Sequence, residues 1–144
     1  MKFLLTALNA KYIHSNPAIY SLRAYCIQEQ PELKQQIELA EYTINQTKGW
    51  ILSDIYRRKP DVIGFSCYIW NWDMIRELVC ELAKVRPDLP IWLGGPEVSY
   101  NPEEILKQMP FLSGIMVGEG EETFLELMKF YSDEADSAKD GREA

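Results

Sequence analysis

Pro60-Asp61-Val62-Ile63-Gly64-Phe65-Ser66 is the stretch that decides the fold. From Asp61 to Phe65 it is a compact apolar run, closed by a proline on one side and a serine on the other. A strand with one wet face alternates apolar and polar residues. A run without that alternation reads as a strand covered on both faces. Working outward, Phe3 to Leu8, Pro90 to Leu93 and Ser113 to Val117 read the same way. Gln36 to Thr43 differs: Ile37, Leu39 and Tyr42 alternate with polar residues less cleanly, and the stretch reads as an edge strand. Amphipathic patterns lie between these runs. Ile19, Leu22, Tyr25 and Cys26 repeat at helical spacing, as do Ile51, Leu52 and Ile55. Ile75, Leu78, Val79 and Leu82 form another stripe, and Phe124, Leu127, Met128 and Tyr131 the last.

Two helix starts are marked in the sequence. Asn16-Pro17 and Asn101-Pro102 each place a capping side chain before a proline at the first helical position. Glu104 completes a capping box with Asn101. Five βα units in a row predict an α/β domain, a parallel sheet with helices on both faces. Right-handed crossovers leave few topologies. A doubly wound sheet of order 2-1-3-4-5 fits best, because the most polar strand then lies at an edge. Residues 1–131 form this domain. From Ser132 the chain is polar and charged, so residues 132–144 read as a frayed end or linker.

Apolar residues make up 47% of the 144 residues, as in an ordinary globular domain. The formal charge is −7 and no basic stripe is present. That excludes a nucleic-acid partner, which needs a basic surface. The basic run Arg57-Arg58-Lys59 falls at a helix end, where cations favour the dipole. Cys26, Cys67 and Cys80 are odd in number and widely spaced, and their apolar neighbours predict three buried free thiols. The opening Met1-Lys2-Phe3-Leu4-Leu5 is too short for a signal peptide. No apolar run has membrane-spanning length. The expected location is the cytoplasm.

In a doubly wound sheet, ligands bind outside the carboxyl ends of the strands, near the point where strand order reverses. That rule selects four loops. The loop after the first strand, Asn9-Ala10-Lys11-Tyr12-Ile13-His14-Ser15-Asn16, is long and aromatic and holds the single histidine. It reads either as a ligand-contacting loop or as an exposed loop ending in a helix cap. After the third strand comes Ser66-Cys67-Tyr68-Ile69-Trp70-Asn71-Trp72. Its three large aromatic residues are costly to expose; they wall a pocket or meet a partner. The fourth strand ends in Gly94-Gly95-Pro96-Glu97, whose glycines permit close ligand approach, positive φ or a simple tight turn. The fifth leads into Gly118-Glu119-Gly120-Glu121-Glu122-Thr123. Three glutamates there repel phosphate and complement the helix dipole. Glu119 and Glu121 can accept hydrogen bonds from amide groups, so a neutral, amide-rich ligand suits this rim.

Other chemistries lack their residues. No cluster has metal-site spacing. There is no phosphate-binding G-x-x-x-x-G-K motif, no dinucleotide fingerprint after the first strand and no G-x-S-x-G elbow. No catalytic residue is assigned.

Three stretches carry a family resemblance: Pro60 to Ser66 with its loop, Leu93-Gly94-Gly95-Pro96-Glu97-Val98, and Val117-Gly118-Glu119-Gly120-Glu121-Glu122-Thr123-Phe124. In that order and spacing, with Leu8 to His14, the chain resembles the N-terminal cobalamin (vitamin B12)-binding domain of cobalamin-dependent radical S-adenosylmethionine enzymes. The resemblance runs from Met1 to about Tyr131. It implies a flavodoxin-like (Rossmann-like) fold with a corrinoid ring over the strand ends. The nucleotide tail would descend beside Ser66 and Gly94-Gly95. The implied cofactor-binding residues are Asn9, Ala10, Tyr12, His14, Ser66, Cys67, Tyr68, Ile69, Trp70, Gly94, Gly95, Pro96, Glu97, Gly118, Glu119 and Gly120.

Two departures shape the expectation. Many cobalamin domains carry Asp-x-His-x-x-Gly after the first strand, whose histidine ligates cobalt. Here Lys11 stands where that histidine is wanted, and His14 has the wrong spacing. No histidine of this chain is then expected on cobalt; the lower face is left empty, holds water, or is covered by a side chain such as Tyr12 or Tyr68. The Cys-x-x-x-Cys-x-x-Cys motif of the radical enzymes is also absent. S-adenosylmethionine and a [4Fe-4S] cluster are therefore expected only in a C-terminal catalytic domain of the same protein, of methyltransferase type. The competing reading is a ligand-free flavodoxin-like domain that docks a partner through its aromatic loop.

Overall fold

In a computed structural model, the backbone is described for residues 1–10 and 17–143, and the side chains for 1–10 and 17–138. Five strands run β1 (Phe3–Asn9), β2 (Ile37–Thr43), β3 (Val62–Ser66), β4 (Ile91–Gly94) and β5 (Gly114–Met116). All pair in parallel, in the order β2-β1-β3-β4-β5. The helices are α1 (Pro17–Glu29), α2 (Lys48–Arg58), α3 (Trp72–Val85), α4 (Pro102–Gln108) and α5 (Glu121–Glu143). This is the doubly wound flavodoxin-like arrangement that the apolar runs predict.

The reversal of strand order decides which face each helix covers. The chain moves one way from β1 to β2 and the other way from β2 through β5. With right-handed crossovers, α1 must then lie opposite α2, α3 and α4. The core divides accordingly. Leu4, Leu8, Ile63, Phe65 and Leu93 pack with Ile51 and Ile55 of α2, Leu78 and Leu82 of α3 and Ile105 of α4. Phe3, Leu5, Ala7, Val62 and Met116 pack on the other face with Ile19 and Cys26 of α1 and Phe124 and Met128 of α5. Alternate residues of β1 thus serve opposite layers, as strand geometry requires. The Phe124 ring meets Phe3 edge-on at 5.1 Å. Burying such a side chain contributes roughly 1.5–3 kcal/mol.

Several local expectations change. Asn101 makes no side-chain cap; α4 starts from the backbone bond of Ile105 N–H to Asn101 O, 3.2 Å. Glu104 instead accepts from Gln108 one turn on, so no capping box forms. Thr47, unmarked in the sequence reading, does cap α2, its Oγ1 accepting from Trp50 N–H at 3.2 Å. Asn16 lies outside the described residues. The polar stretch after Ser132 is helical, with α5 continuing to Glu143. It holds no proline, and Ala135 and Ala138 favour helix while lining a groove with Met1 and Pro90. Cys26 and Cys67 are buried, but Cys80 is partly exposed. Arg57 and Arg58 close α2 as expected. No helix among the described residues is long and apolar enough to cross a membrane.

Candidate functional site

A cavity of about 350 Å³ opens at the carboxyl ends of the strands, on the face covered by α1 and α5. Its floor is a hollow in the sheet. Strand alternation points Gly64, Ser66 and Gly94 to this face, where neighbouring strands carry Leu5 and Met116. A Cβ on Gly94 would stand 3.4 Å from Met116 Cε, and one on Gly64 would stand 3.3 Å from Phe3. Any larger residue would therefore project into the cavity or against its walls. Ser66 is buried, and its hydroxyl has no hydrogen-bond partner among the described residues. The helical wall is the first turns of α1, through Ala18, Ile19, Ser21 and Leu22. Gly118, Glu119, Gly120 and Glu121 close the far side, and Tyr68, Gly95 and Pro96 form the rim.

Close backbone approaches hold this rim. Gly95 sits at φ 102°, and a Cβ there would strike the carbonyl oxygen of Cys67 and lie 2.8 Å from its nitrogen. Only glycine tolerates both the conformation and the approach. Cys67 N–H donates to Gly94 O at 2.7 Å, and Glu97 N–H donates to Cys67 O at 3.3 Å. Ser99 joins the next pair of loops: its hydroxyl donates to Gly95 O at 2.9 Å and accepts from Gly118 N–H at 3.3 Å. The loops after β3, β4 and β5 are thereby fixed relative to one another.

The loop after β3 has its own anchor. Asn71 is fully buried and donates from Nδ2 to Leu8 O at 3.0 Å and to Ser66 O at 3.2 Å. Its Oδ1 accepts from Tyr68 N–H at 2.8 Å. Above this anchor the rings of Tyr68 and Trp70 stack, 4.5 Å apart and 9° from parallel. The three aromatic residues of the loop thus separate. Tyr68 lines the cavity, Trp70 is 45% exposed, and Trp72 turns into the α2–α4 core.

The structure brings together Ser66, Tyr68, Gly94, Gly95, Pro96, Gly118, Glu119 and Gly120 on one cavity. It does not place Asn9, Ala10, Cys67, Ile69, Trp70 or Glu97 on its lining. Asn9 is buried at the end of β1, where Nδ2 donates to Glu41 at 3.2 Å. Cys67 faces the opposite core; burial pushes its thiol well above the ordinary range, so it remains protonated there. Ile69 is 81% exposed. Tyr12 and His14 lie outside the described residues. Sequence reasoning missed Leu5, Gly64 and Met116 on the floor and Ala18, Ile19, Ser21 and Leu22 on the wall. The i, i+2 spacing of Gly64 and Ser66 was the available signal for the floor. No group of metal-binding side chains is present among the described residues.

Comparison with known proteins bears on what fills this cavity. The family model of the B12 binding domain matches residues 4–128. A 2-(S-pantetheinyl)-carbapenam-3-carboxylate methyltransferase of Streptantibioticus cattleyicolor is 32% identical over 69 residues, 48% of this chain and 10% of that one. The cobalamin-dependent radical SAM methyltransferase TokK of Streptomyces tokunonensis is 37% identical over 71 residues, 49% of this chain and 10% of its own length. The chain therefore matches about a tenth of each of these curated relatives. Among solved structures, the cobalamin-dependent S-adenosylmethionine radical enzyme OxsB superposes with a TM-score of 0.66 at 20% identity, over 92% of this chain and 19% of that one. A cobalamin-binding protein from Desulfitobacterium hafniense superposes at 0.60 and 16% identity, over 92% of this chain and 58% of that one. Both likenesses are of fold.

Proposed function

This chain belongs to the B12 binding domain family, and from that premise we propose that the cavity beside α1 and α5 takes the nucleotide tail of cobalamin. The observation that carries the reading is the hollow at Gly64, Ser66 and Gly94, where an ordinary strand would fill the space with side chains. At about 350 Å³ the cavity is at the small end of ligand pockets. It suits a base and its ribose, not a corrin macrocycle with its amide arms. The ring is then left over the rim, where Tyr68 offers an aromatic face and Glu119 accepts from amide N–H groups. Ser66 Oγ is free to bond the tail.

Bound cobalamin supplies a cobalt centre that can carry an alkyl group. This chain's residues bind and orient it. We infer that no histidine of this chain ligates the cobalt, because the Asp-x-His-x-x-Gly motif is missing. The stacked pair Tyr68 and Trp70 supports an aromatic cover for the lower face at that rim. We infer a longer protein in which a C-terminal radical domain, with S-adenosylmethionine and a [4Fe-4S] cluster, performs a methyl transfer; that one relative is named a cobalamin-dependent radical SAM methyltransferase and another a methyltransferase supports the methyl transfer. The exposed tip of the aromatic loop, Ile69 and Trp70, is the surface that such a domain would meet.

The test is titration with hydroxocobalamin, followed through its visible bands. Wild-type protein should saturate near one equivalent. Gly94→Leu, which fills the hollow, should weaken binding at least about a hundredfold. Equal affinity of the two proteins would move the tail elsewhere.

A further inference from the structure

We propose that the cavity discriminates among corrinoids by the base at the end of the tail, admitting a benzimidazole and disfavouring a purine. This rests on the reading that the cavity takes the tail. The inner wall comes from three elements: Leu5 of β1, Ile19 and Leu22 of α1, and Met116 of β5. Leu5, Ile19 and Met116 are buried, and none of the four carries a hydrogen-bonding group suited to a heterocycle. The backbone of Gly64 and Gly94 is engaged in the sheet and offers little to a ligand. Of the polar side chains on the lining, Ser21 and Glu119 are exposed, Tyr68 and Glu121 are half-buried on the rim and far side, and Ser66 sits at the end of β3, so none of them belongs to the inner wall.

Dimethylbenzimidazole presents a C–H edge and methyl groups to such a wall. Adenine presents an exocyclic amine and further ring nitrogens, which would leave water without gaining partners on this inner wall among the described residues. A buried donor left unpaired weakens binding by about tenfold or more. An apolar pocket rejects an added polar group only up to about a hundredfold, which bounds the effect from above. Leu22 is the residue through which the preference is best altered. It is half-buried on a helix, so a glutamine there tolerates solvent and supplies both a donor and an acceptor.

Equilibrium titration of the full chain, read by tryptophan quenching, tests this with three ligands: cobalamin, cobinamide without a tail, and the adenine-tailed cobamide. Cobalamin should bind about tenfold to a hundredfold more tightly than the adenine-tailed form, and cobinamide should bind more weakly than cobalamin. Leu22→Gln should cut the preference for cobalamin to within about threefold. Equal affinity for the two tailed ligands in wild type would overturn the selectivity and leave the tail in its cavity. Cobinamide binding as tightly as cobalamin would remove the tail from the cavity, and the selectivity with it. An unchanged preference in a folded Leu22→Gln protein would overturn the role of this wall.

Discussion

Asn71 reaches across the sheet end to Leu8, its Nδ2 donating to the Leu8 carbonyl at 3.0 Å from a side chain with no solvent exposure. The same amide holds Ser66 O and Tyr68 N–H. One residue therefore ties the end of β1 to the end of β3 and to the start of the aromatic loop. Asn71→Leu leaves these groups buried and unpaired. The protein should lose about 2–3 kcal/mol in urea unfolding. A loss below about 0.5 kcal/mol would mean the clamp is dispensable.

Gly95 and Gly94 are adjacent in sequence but should fail in different ways. At Gly95 the obstacle is the Cys67 backbone and a φ of 102°. Gly95→Leu is therefore a folding mutation before it is a binding one. Thermal unfolding should show Gly95→Leu clearly destabilised and Gly94→Leu much less so. The reverse order would refute the assignment of the Cys67 contact.

The fold was legible because each strand is a short apolar run and each helix a clear stripe. The strand order followed from right-handed crossovers together with the polarity of β2. The rim glycines and Ser66 were legible as loop residues after strands. The floor and wall were not. Leu5, Ile19 and Met116 look like any core residue in sequence, and only the missing side chains of Gly64 and Gly94 opposite them make a cavity. Trp72 and Asn71 were unreadable for a similar reason. Periodicity marks a helix stripe but not whether its first turn faces a core, a carbonyl or a ligand.

Thiol labelling separates the three cysteines. Cys26 is buried, and loss of solvent raises its thiol to about 11. Burial likewise raises Cys67. Cys80 is partly exposed. At pH 8, iodoacetamide should modify Cys80 first and leave the other two until the protein unfolds, as peptide mapping would record. Early modification of Cys67 would contradict its place under the sheet.

Asp54 should make stability depend on pH. It accepts from Tyr42 OH at 2.7 Å and from Arg58 Nε at 2.8 Å, and these bonds lower its carboxyl below the ordinary range. A lowered folded-state value adds stability above the unfolded value of about 3.9, lost as pH falls through the folded one. Asp54→Asn should therefore cost about 1–2 kcal/mol at pH 7. The gap should narrow as pH falls below the unfolded value of about 3.9 and close once the folded carboxyl is protonated. A penalty independent of pH would assign the loss to packing instead.

His14 lies outside the described residues, yet its expected role is testable by spectrum. His14→Ala should leave the visible bands of the bound corrinoid in place. A shift of those bands on mutation would put the imidazole on cobalt.

The most direct measurement is retention. The purified protein is mixed with hydroxocobalamin, desalted, and its visible spectrum recorded against its protein content. A B12-binding domain with this cavity should carry close to one corrinoid per chain through the column, and Gly94→Leu should emerge colourless. A wild-type protein that repeatedly emerges colourless would contradict cobalamin binding at this site.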